Sequence, residues 1–206
     1  MGIPVLILGE SGSGKSASLR NFTADEIGVF NVASKPLPFR GNLKCINGAD
    51  YQTIISRLSN PSRKRYVIDD SQYLMAFESF GRAKETGYTK FTEIAVNFYS
   101  LIRFVVSSTP PDCIVYFLHH TERSDDGRTK AKTIGKMLDS QLTVEGLFSI
   151  VLLCRTDGTR HYFDTQSDGF NTAKSPIGMF ETREIDNDLK YVDGVIREYW
   201  GLENGN

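Results

Sequence analysis

The sequence predicts an α/β protein with a mostly parallel central sheet flanked by helices and an antiparallel hairpin near its C-terminal end. Three observations carry this. Short apolar runs alternate along the chain with segments of helical period. The run at residues 113–118 is apolar on both faces, as a strand inside a helix-covered parallel sheet must be. Late in the chain, Thr156-Asp157-Gly158 separates two strand-like stretches, which is a hairpin signal.

Taken in order, Pro4-Val5-Leu6-Ile7-Leu8 reads as a strand ending at Gly9, and a helix fits residues 15–22. A second strand fits residues 28–32. It is followed by a proline-bearing stretch at 34–40 and a helix at 50–58, with Asp50 placed to cap it. The third strand is residues 66–69. Between Phe91 and Val106 the apolar residues fall at offsets 0, 3, 4, 7, 10, 11, 14 and 15, the clearest amphipathic helix in the chain. Pro110-Pro111 stops it, and the strand at 113–118 follows. Residues 119–133 turn polar and read as a mobile loop, followed by a short helical segment around 136–142. The hairpin strands are 147–155 and 159–165, and the tail at 187–200 reads as a helix capped by Asp186 or Asn187. No repeat, low-complexity tract or linker divides the 206 residues, so one domain is expected.

Composition narrows the function. With 40% apolar and 24% charged residues, a packed fold is the default. A net charge of −1 excludes a globally basic protein that coats nucleic acid, so any such contact needs a local patch. Cys45, Cys113 and Cys154 show no C-x-x-C spacing, which argues against a disulfide scaffold or zinc knuckle. The first apolar run has no basic flank and is too short for a signal peptide or membrane span; a cytoplasmic protein with no membrane contact is expected.

Gly9-Glu10-Ser11-Gly12-Ser13-Gly14-Lys15-Ser16 matches G-x-x-x-x-G-K-[ST] between a predicted strand and a predicted helix. Glycines let the backbone curl so that amides point at phosphate oxygens, with the helix N-terminus adding its dipole. These eight residues and Ala17 are the candidate nucleotide-binding set, with Lys15 bridging β- and γ-phosphates and Ser16 on Mg²⁺. About fifty residues on, Tyr66-Val67-Ile68-Asp69-Asp70 is an apolar strand ending in two carboxylates. Asp69 would hold the Mg²⁺ shell. Asp70 points elsewhere, either to orient an attacking water or to cap the next helix. His119 and His120 end the fourth core strand, either as a γ-phosphate sensor or as a structural pair. His161 lies mid-strand in the hairpin and is assigned no role. An N/T-K-x-D element for reading guanine is absent from the sequence, so ATP is the expected nucleotide.

With these motifs, the segments N-V-A-S-K-P-L-P-F-R, R-Y-V-I-D-D, F-L-H-H-T-E, I-G-K-M-L-D and N-T-A-K-S-P-I-G-M-F resemble the RecA-like P-loop ATPases of bacteriophages, which include single-strand annealing proteins and AAA-type ATPases. The resemblance runs from about Pro4 to Trp200. It implies a RecA-like core that binds ATP and Mg²⁺, associates head to tail and acts on single-stranded DNA in phage recombination or replication, alongside phage or host proteins. Hydrolysis would be slow or DNA-stimulated.

By position, the two DNA-contacting loops of RecA-like proteins match residues 80–91 and 121–136. The first offers Arg82, Lys84, Tyr88 and Lys90; the second offers Arg123, Arg128, Lys130 and Lys132, with Lys136 closing it, and each carries a net charge of +2. Tyr88 and Phe91 could stack on bases. Against them, residues 181–206 hold seven acids and three bases. Lys174 matches a lysine that reaches a neighbouring subunit's nucleotide. The sequence departs from the family in lacking a carboxylate at the end of the strand at 28–32, which throws hydrolysis onto Asp70. Two other readings fit the same motif: a nucleoside or nucleotide kinase with residues 124–133 as a lid, and a nucleotide-gated scaffold without turnover.

Overall fold

The computed structural model describes residues 1–135 and 137–202, apart from the side chains of 139 and 140. Along these residues run β1 (Ile3–Gly9), β2 (Gly28–Asn31), β3 (Cys45–Asn47), α1 (Tyr51–Leu58), β4 (Arg65–Asp69), α2 (Gln72–Gly81), α3 (Thr89–Ser108), β5 (Ile114–Arg123), β6 (Thr129–Ala131), β7 (Ile150–Thr156), β8 (His161–Asp164), β9 (Glu184–Asp186) and α4 (Leu189–Tyr199). The sheet order is β3-β2-β4-β5-β1-β7-β8-β9, with β6 paired to β5 off this path. Strands β3 through β7 in that order pair in parallel. The last two joins, and β5 with β6, are antiparallel. The protein is therefore α/β with a mostly parallel mixed sheet.

Alternation along the strands builds two apolar layers. Leu6, Leu8, Val115, Phe117, Val151 and Leu153 face α1, α2 and α3. Val5, Ile7, Tyr116, Leu118, Ile150 and Leu152 face the opposite side, where Leu189, Val192 and Ile196 of α4 and Leu19 and Phe22 cover them. Each fully buried side chain of this kind contributes about 1.5–3 kcal/mol. The two-sided burial explains why these strands read as continuous apolar runs. Asp50 caps α1 as expected, accepting from the Thr53 amide at 2.8 Å.

Four expectations are corrected. The helix expected at 15–22 is a single 3-10 turn, Ser16–Leu19, in which the Ser18 hydroxyl bonds back to the Lys15 carbonyl at 2.6 Å. Its hydroxyl-rich start competes with helix propagation, so little helix dipole acts on the loop before it. Residues 121–131 are not a mobile loop: β5 continues to Arg123 and turns at Gly127 (φ +81°) into β6, whose Thr129 amide is tied to the Phe170 carbonyl at 2.8 Å. Around 136–142 there is one wide turn, Met137–Gln141; Lys136 lies outside the described residues. The cap of α4 is Asp188, accepting from the Lys190 and Tyr191 amides.

Candidate functional site

The glycine-bearing loop leaves the C-terminal end of β1 between the ends of β5 and β7. Gly12 (φ +79°) and Gly14 (φ +102°) take the left-handed backbone that lets the chain curl. What orients the loop is tied behind it. The Ser13 carbonyl accepts from His161 Nδ1 at 2.7 Å and from Cys154 Sγ at 3.0 Å, and the Gly14 carbonyl accepts from Asn187 Nδ2 at 3.3 Å. A peptide is planar and trans, so holding the Ser13 carbonyl toward β7 and β8 and the Gly14 carbonyl toward Asn187, just past β9, turns the amides of Gly14 and Lys15 the other way. His161 and Cys154 are thus part of the loop's support, which the linear sequence did not reveal, because their partner is a backbone atom some 140 positions away in the chain. Lys15 Nζ donates to the Gly9 and Glu10 carbonyls at 2.8 and 2.9 Å and closes the loop on itself. Burial lowers the Lys15 pKa, against the pull of the nearby carboxylates.

Across 53 residues, Ser16 Oγ donates to Asp69 Oδ1 at 2.8 Å. Burial raises the Asp69 pKa, opposed by this bond. One hydroxyl and one carboxylate side by side suit Mg²⁺, which takes one or two protein oxygens and fills its octahedron with waters and phosphates. Among the described residues no group of three or more His, Cys, Asp or Glu forms a metal cage, which that chemistry does not need.

Asp70 is turned away from Asp69 by a left-handed backbone (φ +59°), and it is buried. It does not cap α2 through its side chain, since that carboxylate takes two other partners. Oδ2 pairs with Lys35 Nζ at 2.6 Å, and Oδ1 accepts from His120 Nε2 at 3.1 Å. Burial works to raise its pKa, but the bonds from His120 and Lys35 outweigh that and hold the carboxyl below its ordinary value. The order β2-β4-β5-β1 makes this convergence, because β5 brings His120 opposite Gly9 between the loop strand and the carboxylate strand.

His119, one residue earlier, faces away from this group. It is fully buried, with Nε2 donating to the Lys132 carbonyl at 2.9 Å and Nδ1 against Ser71 Oγ at 2.9 Å; burial lowers its pKa to about 4, so it is neutral. Of the two histidines, either of which is a candidate γ-phosphate sensor by sequence, His120 therefore stands at the site and His119 in the core. Lys174 is fixed by its backbone to Val151 through paired hydrogen bonds of 2.8 Å and is not part of the Lys35–Asp70–His120 group.

Beside the loop lies a polar cleft of about 410 Å³, lined among others by Glu10, Ser11, Ser13, Thr121, Arg123 and Arg155. Ser13 Oγ and Thr121 Oγ1 are buried and have no hydrogen-bond partner among the described residues. Buried hydroxyls left unpaired are costly, and both residues line a cleft sized for a small ligand.

The basic residues of the two expected DNA loops fare unequally. The Arg82 guanidinium is held by Glu78, Glu85 and Glu93, at 3.3, 2.6 and 2.6 Å. Lys90 Nζ is turned onto the Glu85 carbonyl at 2.9 Å and the Phe91 ring. Lys84 is exposed and Tyr88 is 88% exposed. On the β5–β6 hairpin, Arg123 lies 3.9 Å from Glu10, Arg128 pairs with Asp126 at 3.4 Å, Lys130 pairs with Glu122 at 3.6 Å, and Lys132 is exposed. The acidic tail is not a free counterweight either. Asp193 is buried between Arg65 and Arg197, Glu184 pairs with Arg160, and Asp188 caps α4; Glu203 lies outside the described residues.

No protein-family model and no curated protein matches this chain. Among the described residues no helix is long and apolar enough to cross a membrane.

Proposed function

We propose that this protein is a RecA-like P-loop ATPase that binds ATP with Mg²⁺ and acts on single-stranded DNA. The observation that carries the nucleotide reading is the 2.8 Å contact of Ser16 with Asp69 beside the Lys15 loop. Two elements far apart in sequence are folded into one hydroxyl–carboxylate pair at the ends of parallel strands, where open α/β sheets bind ligands. The outward amides of Gly14 and Lys15 and the Lys15 ammonium would hold the β- and γ-phosphates, and Ser16 and Asp69 would hold the metal. When bound, Mg²⁺ would supply neutralisation of the phosphate charge.

Asp70 and His120 stand next to that pair and suit the orientation of water. Water oxygen bonds to the γ-phosphorus as the bond to the β–γ bridging oxygen breaks, giving ADP and inorganic phosphate; the water proton passes through Asp70 to phosphate. With a neutral, core-facing His119, only His120 serves this step.

The DNA reading rests on the exposed Lys84, Tyr88, Arg123, Arg128 and Lys132, of which the hairpin residues lie nearest the loop through Glu10 and Thr121. Aromatic and cationic side chains of this kind are what single-strand binding uses. Head-to-tail association belongs to the same reading.

Calorimetry with ATP and Mg²⁺ on wild type and Asp69→Asn tests the first part. Binding that needs Mg²⁺ and is lost in the variant is expected; binding of no nucleotide refutes it. Phosphate release with and without single-stranded DNA, on wild type and Asp70→Asn, tests the second. Transfer of phosphate to a nucleoside panel instead would make the protein a kinase.

A further inference from the structure

We propose that Lys35 is a second phosphate-reading cation of the site, its ammonium exchanging Asp70 for the γ-phosphoryl group of bound ATP and so distinguishing ATP from ADP. The inference rests on the nucleotide-binding reading above and adds to it a residue outside the loop motif.

Backbone strain marks the place. Among the described residues, the non-glycine positions with positive φ are Ser34 (φ +56°) and Asp70 (φ +59°). One immediately precedes Lys35 and the other is its ion-pair partner, with 2.6 Å between Lys35 Nζ and Asp70 Oδ2. Non-glycine residues in this region persist only where the surroundings enforce them, and they gather at ligand sites. A surface ion pair of ordinary kind would need neither.

The root of Lys35 is fixed while its end reaches solvent. Its carbonyl accepts from Asn31 Nδ2 at 2.7 Å, and the same amide group donates to Asn47 Oδ1 at 3.0 Å. Asn31 ends β2 directly beside Asp69 of β4. Lys35 is thereby anchored next to the metal carboxylate, where the strand lacks an acid. The ammonium itself lies over the Tyr73 ring, 5.4 Å from its centre, and the side chain is 58% exposed. An ammonium on the solvent side of the pair can exchange this single carboxylate charge for the more highly charged γ-phosphoryl group. Asp70 is not stranded by the exchange, because His120 Nε2 still donates to its other oxygen. The released Oδ2 becomes an acceptor for water at the moment the γ-phosphate is seated.

The test uses the full chain as wild type, Lys35→Met and Lys35→Arg, with AMP-PNP and ADP titrated in the presence of Mg²⁺, and thermal melts to verify folding. Methionine keeps the stem and removes the charge at an exposed position. The expected result is a loss of AMP-PNP affinity of about tenfold or more in Lys35→Met, the worth of one charge-assisted hydrogen bond, with ADP affinity unchanged within about twofold. Lys35→Arg should recover part of the discrimination. Equal effects on both nucleotides, or no effect on either, overturn the proposal. Failure of the wild type to bind either nucleotide overturns the nucleotide reading itself, and this proposal with it.

Discussion

Acidification should destabilise this protein through His119. The imidazole is fully buried against Phe98, with Nε2 on the Lys132 carbonyl and Nδ1 against Ser71, and burial brings its pKa from the ordinary 6.5 to about 4. In the unfolded chain it titrates normally. Between these values the unfolded state binds the extra proton, so stability is complete above pH 6.5 and falls as pH drops toward 4. At about 1.4 kcal/mol for each pH unit between the two values, the full loss is about 3 kcal/mol, of which about 2 kcal/mol is gone by pH 5. No discount for solvent applies to a group without exposure. Urea denaturation of wild type and His119→Gln at half-unit steps from pH 7.5 to 4.5 measures this. The variant starts less stable, so the slope is the readout: wild type should lose stability across the window more steeply, by up to about 1.4 kcal/mol per pH unit. Parallel slopes would refute the assignment of His119 as a buried neutral group.

Other expectations follow from single contacts. Asp193 takes Arg65 Nε, Arg197 Nε and the Tyr116 hydroxyl together in the interior, so Asp193→Ala should cost about 3–5 kcal/mol in denaturant unfolding; a cost under about 1 kcal/mol would refute its role. Gly14→Ala forces a side chain into a left-handed backbone with a Cβ 2.9 Å from the His161 ring, and nucleotide affinity should fall at least about tenfold by calorimetry, whereas Gly194→Ala, in α4 with nothing within 4 Å, should leave it intact. Asp50→Ala removes the cap of α1 and should lower stability by about 1 kcal/mol in the same urea assay.

Reading the sequence located most parallel strands and α3 because both periods are strong there. It missed β3, β6 and β9, each three residues long, since so short a strand is defined by its partner rather than by its own pattern. The candidate site divides in the same way. Lys15, Ser16 and Asp69 were legible because a loop that wraps phosphate needs fixed local spacing. Lys35, Cys154, His161 and Asn187 were not, because what matters about them is a carbonyl or carboxylate that the fold delivers from elsewhere. Arg82 shows the converse. It counts as a free positive charge along the chain, yet Glu93, eleven residues on, reaches it only because α2 and α3 pack together.

The sequence by itself determined that the chain forms an α/β sheet and carries a glycine-rich lysine loop and an aspartate-ended strand, since these depend on neighbours within a few residues. Tertiary structure alone decided which charges stay available and which are spent. Strand order sets His120, Lys35 and Asp70 together, while the packing of α2 and α3 over the end of β5 encloses His119 against Ser71 and Phe98, because burial depends on what the fold lays over a residue and not on its neighbours in the chain.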